Sequence, residues 1–269
     1  MARPITLLSD YGYEDEFAGV CRAVIARIAP DAQVIDITHG VPRHDVRQGS
    51  FALAKSIPFA PLGVHVAIVD PGVGGERRPV ALQVRDEDRL LVGPDNGVLA
   101  PAAERFGGAR AAVDLTTSPH RLEPISATFH GRDLFAPVAA RLALGAPLTE
   151  CGETIDPTTL SCLELPQPRI EQGRVVAHVI GVDGFGNAML DLGHDQLPLT
   201  FLRLGGLVQV DAGPARIRVP FGRTFADVAA GEGLLYEDSS RNLALAINRG
   251  NAAQRLGLAP DDEVVLRPG

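Results

Sequence analysis

Val64-His65-Val66-Ala67-Ile68-Val69-Asp70-Pro71-Gly72-Val73-Gly74-Gly75-Glu76-Arg77-Arg78 is the stretch on which the fold turns. Residues 64–69 form a short apolar run of the kind a fully buried strand presents. Asp70 ends the run, and Pro71, which has no backbone N–H, stops strand pairing there. Gly72, Gly74 and Gly75 permit a tight turn or a close backbone approach. Arg77 and Arg78 close the segment. In open α/β sheets ligands bind beyond the carboxyl ends of the strands. A carboxylate at a strand end, followed by a glycine turn and two guanidinium groups, therefore marks a candidate site. A charged turn closed by a salt bridge explains the same residues equally well at this stage.

Working outward, residues 5–9 read as a strand ending on Asp10, and residues 17–29 show helical periodicity stopped by Pro30. Residues 34–37 read as a second strand and 46–57 as a second amphipathic helix before Pro58. Strand, helix, strand, helix, strand is the grammar of a parallel α/β layer. Apolar runs at 80–84 and 89–92 extend it, and residues 134–144 are rich in helix formers. The pattern changes near Leu165-Pro166-Gln167-Pro168. Beyond it, short β-like runs at 174–182, 201–210, 215–219, 233–236, 243–247 and 263–266 alternate with glycine and proline turns. The expectation is an α/β fold: an N-terminal parallel-sheet α/β domain over 1–165 and a smaller C-terminal antiparallel β-barrel-like domain over 170–269.

The chain has 269 residues, 45% hydrophobic and 22% charged, enough for a sizeable core. No run of 18 or more apolar residues is present, so no membrane span is expected. A net charge of −8 without a basic tract argues against nucleic acid as a partner. Three cysteines, Cys21, Cys151 and Cys162, form neither a disulfide framework nor a zinc ribbon. With no signal-peptide pattern at the N-terminus, the expected location is cytoplasmic.

Polar clusters stand where strands or glycine turns meet helices: residues 10–15, 70–78, 95–96 and 130–133, with a fifth at 183–187. His39, His44 and Asp45 offer metal-binding atoms, as do His130 and Asp133, but no ligand spacing of a known metal site is present, and no metal is expected. No dinucleotide fingerprint, P-loop or nucleophile elbow occurs. His65, inside an apolar run, reads as a core histidine.

The motifs resemble those of the S-adenosylmethionine (SAM) hydroxide adenosyltransferases, the SAM hydrolases, which are related to the SAM-dependent fluorinase and chlorinase. The resemblance rests on Ser9-Asp10-Tyr11-Gly12-x-x-Asp15, Asp36-Ile37-Thr38-His39-x-Val41-Pro42 and Val69-Asp70-Pro71-Gly72-Val73-Gly74. Gly93-Pro94-Asp95-Asn96-Gly97, Phe129-His130-Gly131-Arg132-Asp133, Asp183-x-Phe185-Gly186-Asn187 and Asn248-x-Gly250-Asn251-Ala252-Ala253 continue it through nearly the whole chain.

The resemblance implies hydrolysis of SAM: water-derived hydroxide attacks the ribose C5′, and methionine leaves, giving adenosine. It implies SAM as substrate, no cofactor, and a homotrimer whose sites lie at subunit interfaces. Carried over by motif, the catalytic set is Asp70, Arg77 and His130, with Arg77 preferred to Arg78 on spacing. Asp10 resembles the acceptor of both ribose hydroxyls, which suits an acceptor-only carboxylate. Asp15 and Asp183 resemble the carboxylates near the methionine part, and Asn187 the adenine-reading amide. Asn248 and Arg249 lie where the family backbone meets adenine, and Ser239 in the region holding the methionine carboxylate. The chain departs from the family at Phe17, at Gly184 and over residues 238–242. Two other readings compete: a halogenase using chloride, which would want a dry site with few donors, and a non-catalytic binder of SAM or adenosine.

Overall fold

A computed structural model describes residues 2–269, and the chain divides into two compact units, residues 1–163 and 164–269. In the first unit the order is β1 (Ile5–Ser9), α1 (Phe17–Ile28), β2 (Val34–Thr38), α2 (Val46–Ser56), β3 (Val64–Ile68), β4 (Pro79–Val84), β5 (Leu90–Pro94), α3 (Ala100–Glu104), β6 (Ala109–Asp114), α4 (Ala136–Ala143) and β7 (Glu153–Ile155). These strands form one sheet in the order β2-β1-β3-β5-β4-β6-β7.

The expected parallel sheet is found in β2-β1-β3-β5, whereas β4, β6 and β7 join antiparallel. The reason is connection length. Residues 85–89 join β4 to β5, far short of the dozen or so that a parallel crossover needs, so the two strands must form a hairpin.

β1 and β3 are buried throughout. Their alternate side chains feed two different cores, as the two-residue period of a strand requires. Ile5, Leu7, Val64, Val66 and Ile68 pack with Cys21 and Ile25 of α1 and with α4. Leu8, Ala67 and Val69 pack on the other face with Leu53 of α2 and Ala102 of α3. Burial on both faces explains the near-continuous apolar runs in the sequence. It also leaves only the strand ends available for chemistry.

The second unit contains β8 (Arg169–Glu171), β9 (Arg174–Val182), β10 (Ala188–Gly193), β11 (Leu207–Ala212), β12 (Ala215–Pro220), β13 (Gly233–Glu237), β14 (Asn242–Ile247), α5 (Ala252–Leu256) and β15 (Glu263–Pro268). Its antiparallel sheet runs β12-β11-β15-β9-β10-β14-β13, with β8 beside β9. The two end strands approach each other: Phe221, just after β12, bridges Leu235 of β13, and Gly222 N donates to Leu235 O at 2.9 Å. The sheet is therefore nearly closed, and Val175, Val210, Leu235, Leu245 and Leu266 fill its interior. β10 does not follow the expected runs because Asp191 interrupts its apolar pattern. That carboxylate accepts from His178 N at 2.8 Å and contacts His178 Nδ1 at 2.7 Å. Among the described residues no helix is long and apolar enough to cross a membrane.

Candidate active site

Both β1 and β3 release an aspartate at their carboxyl ends, Asp10 and Asp70. Three local devices hold the chain there. Asn96 Nδ2 donates to Val69 O at 2.8 Å, which ties the end of β3 to the turn after β5. Asp10 N donates to Ile68 O, which keeps the two strand ends in step. Gly74, with φ +75°, lies so close to Ala127 that a Cβ would stand 2.3 Å from its carbonyl oxygen. The glycine turn thus presses against the chain's own 127 segment, and that contact brings the loop of Asp70 beside the loop of His130.

The two adjacent arginines separate sharply. Arg77 Nε and Nη2 donate to the two oxygens of Asp70 at 2.8 and 2.5 Å, and Nη2 also lies 2.8 Å from His130 Nδ1. Arg78 turns to Asp95, with Nε and Nη2 at 3.0 and 2.6 Å from Oδ2, and reaches Thr159 O at 2.6 Å. Asp70 and Arg77 side chains are 6% and 9% exposed, so their forked pairing is largely screened from water. Phe135, fully buried, underlies the set: the Arg77 guanidinium carbon is 5.7 Å from its ring centre and the His130 ring 6.5 Å.

His130 immediately precedes a widened helical turn over Gly131–Phe135 that leads into α4. Such turns recur at functional sites. Gly131 is required there, since a Cβ would stand 2.2 Å from the Tyr11 hydroxyl. Asp133 anchors the turn from inside, accepting from Ser126 N and from Arg132. Burial and the Arg77 charge hold the His130 ring below the usual histidine range, against the opposing pull of Asp70 and Asp133. A guanidinium only donates, so His130 Nδ1 accepts, and the neutral ring carries its proton on Nε2.

Asp10, Asp15, Asp70 and His130 line one cavity of about 230 Å³, together with Tyr11, Phe17, Arg43, His44, Val73, Thr128 and Gly131. Arg77 stands behind this wall. His44 N donates to Asp10 Oδ2 at 2.9 Å and has φ +67°, an uncommon conformation for a residue with a side chain. Arg43 was not legible as a site residue, and His44 was singled out only for its metal-binding atoms, the signal in both cases being the polar loop they share with Asp45. Asp45 itself caps α2 by accepting from Gln48 N. Tyr11, Phe17 and Phe129 form an aromatic cluster with ring centres 5.1–5.8 Å apart, and burial raises the Tyr11 hydroxyl well above its ordinary range. Among the described residues no group of three or more metal-ligating side chains is assembled.

The second unit carries a separate cluster. Asn187, 5% exposed, donates through Nδ2 to Asp183 Oδ2 at 2.8 Å, while Asp183 Oδ1 accepts from the Phe185 and Asn187 backbone. Asp183 therefore commits both oxygens to shaping the turn that presents Asn187. Gly186, at φ +82°, abuts Asn251, where a Cβ would stand 2.1 Å from its side chain, so the 183–187 and 248–253 motifs meet. A groove there is lined by Phe185, Asn187, Phe225, Asn248, Arg249 and Asn251. Phe185 is 82% exposed and Phe225 40%. Asn248 Nδ2 donates to Val228 O at 2.8 Å. Ser239 is exposed and does not line this groove. Phe185 stood inside the 183–187 motif without a role, and Phe225 was the part of this cluster that the sequence did not single out.

The chain matches the family described as SAM hydroxide adenosyltransferase, its N-terminal domain over residues 5–152 and its C-terminal domain over 177–265. It is 47% identical to an (R)-S-adenosyl-L-methionine hydrolase of Salinispora tropica, covering 98% of each chain. It is 39% identical to one of Thermus thermophilus, over 95% of this chain and 96% of that one. A fluorinase of Actinoplanes is 27% identical over 91% and 90%. A crystal structure of an uncharacterized conserved protein from Thermotoga maritima superposes with a TM-score of 0.90 at 36% identity, over 98% of this chain and 99% of that one.

Proposed function

This chain belongs to the SAM hydroxide adenosyltransferase family, and on that premise we propose that it is a SAM hydrolase using Asp70, Arg77 and His130 at the attacking water. The observation that carries the reading is the single Arg77 guanidinium bonded to both Asp70 and His130.

The chemistry follows from the substrate. A sulfonium is already a good leaving group, so methionine departs from C5′ without an acid and without a cofactor. The protein's task is to hold one water in line with the C5′–S bond. Asp70 and His130 both face the cavity. His130 Nε2–H donates to the water oxygen and fixes it, leaving an oxygen lone pair for attack. As the C–O bond forms, the oxygen gains positive character and its protons become strongly acidic. The Asp70 carboxylate, although paired with Arg77, is then basic enough to take one. Arg77 holds both partners in place, so little reorganisation is left for the moment of reaction. Such a charged site with a hydrogen-bond donor at the nucleophile suits water rather than halide, in keeping with the lower identity to the fluorinase.

Asp10 accepts from the ribose diol and Asp15 offers negative charge to the methionine ammonium. In the second unit Asn187, with its amide nitrogen fixed on Asp183, reads adenine, and Asn248 and Arg249 border the base. Ser239 belongs to the methionine end, whereas Asp183, with both oxygens taken by the 185–187 turn, serves by holding Asn187 rather than by meeting methionine. The exposed Phe185 and Phe225 rings supply stacking surface for the base. The same reading assembles the chain as a cytoplasmic homotrimer, with the first unit of one subunit and the second unit of the next sharing each substrate.

Incubation of the pure protein with SAM in ¹⁸O-water tests the reaction: adenosine labelled at the 5′-hydroxyl and free methionine are expected. Intact SAM, or unlabelled adenosine, sinks the reading. Mixing an Asp70→Ala chain with an Asn187→Ala chain tests the shared site, because exchanged trimers regain turnover only if each site draws on two subunits.

A further inference from the structure

A second polar chain reaches the cavity from behind. His39 follows β2 and is 3% exposed. Its Nδ1 lies 2.7 Å from the hydroxyl of Ser9, itself 1% exposed, and that hydroxyl oxygen accepts from Tyr11 N at 3.3 Å. His39 O accepts from Gly12 N at 2.7 Å, and His39 N donates to the Tyr13 hydroxyl at 3.0 Å. The Tyr13 ring packs edge-on against the imidazole at 5.6 Å. On the far side His39 Nε2 makes no hydrogen bond and stands 3.4 Å from Asp36 Oδ1, while the other oxygen of Asp36 takes Arg22. One histidine therefore grips residues 9, 12 and 13 directly, and residue 11 through Ser9, and this segment encloses Asp10 and leads to Asp15.

Serine, histidine and aspartate in contact have the residue types of a nucleophilic triad. This arrangement does something else. The Ser9 oxygen is buried and already engaged by a backbone N–H, so no substrate carbon can reach it. With a proton on Nε2 facing Asp36, Nδ1 accepts the Ser9 hydroxyl proton, and the Ser9 oxygen accepts from Tyr11 N. The hydrogen bonds then run from His39 through Ser9 to the backbone beside Asp10, and the Asp36 carboxylate stands behind the ring as a charge only.

We propose that His39 is a positioning residue for nucleoside recognition. It fixes the 9–13 loop so that Asp10, held on its other side by His44 N, presents its carboxylate to a ribose diol. This rests on the reading of Asp10 given above. In this arrangement the second motif of the chain supplies the clamp for the first.

The test is adenosine affinity, measured by calorimetry on the full-length protein, together with kcat and KM for SAM. His39→Ala is expected to weaken adenosine binding and raise KM by about tenfold, with kcat within about twofold of the parent. His39→Asn, which keeps a polar atom near the position of Nδ1, recovers most of the loss. In an Asp10→Ala background His39→Ala adds nothing further, because the group it positions is gone. A fall in kcat at constant KM, an equal effect with and without Asp10, or no recovery by asparagine overturns the proposal. Should His39→Ala not fold, Ser9→Ala breaks the same chain and carries the same expectations. Turnover is read separately: a parent protein that binds adenosine but leaves SAM intact overturns the hydrolase reading, and the coupling between Asp10 and His39 is still measured.

Discussion

His65 and His130 lie at opposite ends of the same architecture and share an environment on paper. Each meets an arginine, Arg89 at 3.2 Å from His65 Nε2 and Arg77 at 2.8 Å from His130 Nδ1. Burial first and the arginine charge second depress both rings. Their second nitrogens differ. His65 Nδ1 lies 2.9 Å from the Thr6 hydroxyl and the residue is 0% exposed, so both ring nitrogens are occupied in a sealed core. Among the described residues, His130 has only the Arg77 hydrogen bond on its ring nitrogens, and it borders the cavity. A depressed histidine beside an arginine is therefore not by itself a catalytic signature. What separates the two is a donor left over and a space for it to face.

The comparison breaks most directly if the two histidines behave alike on substitution. His130→Ala or Asp70→Asn should cut kcat by about 10²–10³ while SAM affinity changes only a few-fold, because both act at the water. Steady-state kinetics with an independent binding titration reads this. His65→Ala should do the reverse: urea unfolding loses roughly 2–4 kcal/mol from the cavity and the stranded Thr6 and Arg89 groups, with kcat per folded molecule unchanged.

Acid sharpens the contrast. His65 falls to about 3 in the folded protein. A folded value below the unfolded value of about 6.5 means that stability is fully present above pH 6.5 and is lost as pH falls toward 3. Between pH 6.5 and 5 the loss from this one residue is about 2 kcal/mol, and denaturant melts of His65→Asn should show a flatter decline. His130 should titrate below the ordinary range in histidine NMR spectra and move up when Arg77→Gln removes the neighbouring charge. The smallest effect belongs to the adjacent arginine. Arg78→Gln loosens the 156–161 segment from Asp95, costs about 1 kcal/mol, and leaves kcat within about twofold.

The legible part of the fold was that written in period. The buried runs of β1 and β3, the helical faces of α1 and α2 and the turn-separated β runs of the second unit all follow from burial on known faces. Strand direction was not written there, because an apolar run such as 80–84 reads the same either way, and only the brevity of residues 85–89 carried the information. At the site, motif order brought Asp70, Arg77 and His130 together, and the family's spacing to the aspartate favoured Arg77 over Arg78, but nothing in the residues themselves says where each guanidinium goes. Their opposite destinations depend on Asp95 and Thr159, which are distant in sequence. The widened turn after His130 was equally unreadable, and the need for glycine at 131 comes from the Tyr11 hydroxyl, distant in sequence.

The contact between Phe221 and Leu235 has a consequence for how this chain behaves in a crowded solution. A sheet with two open borders offers unpaired amides to any extended peptide, including another copy of itself. Here the two borders meet at Phe221–Leu235, which occupies backbone that would otherwise be open to intermolecular strand pairing at that point. The closure thus favours association through loops and side chains, whose identity the sequence can tune, over a backbone ladder that any chain can join.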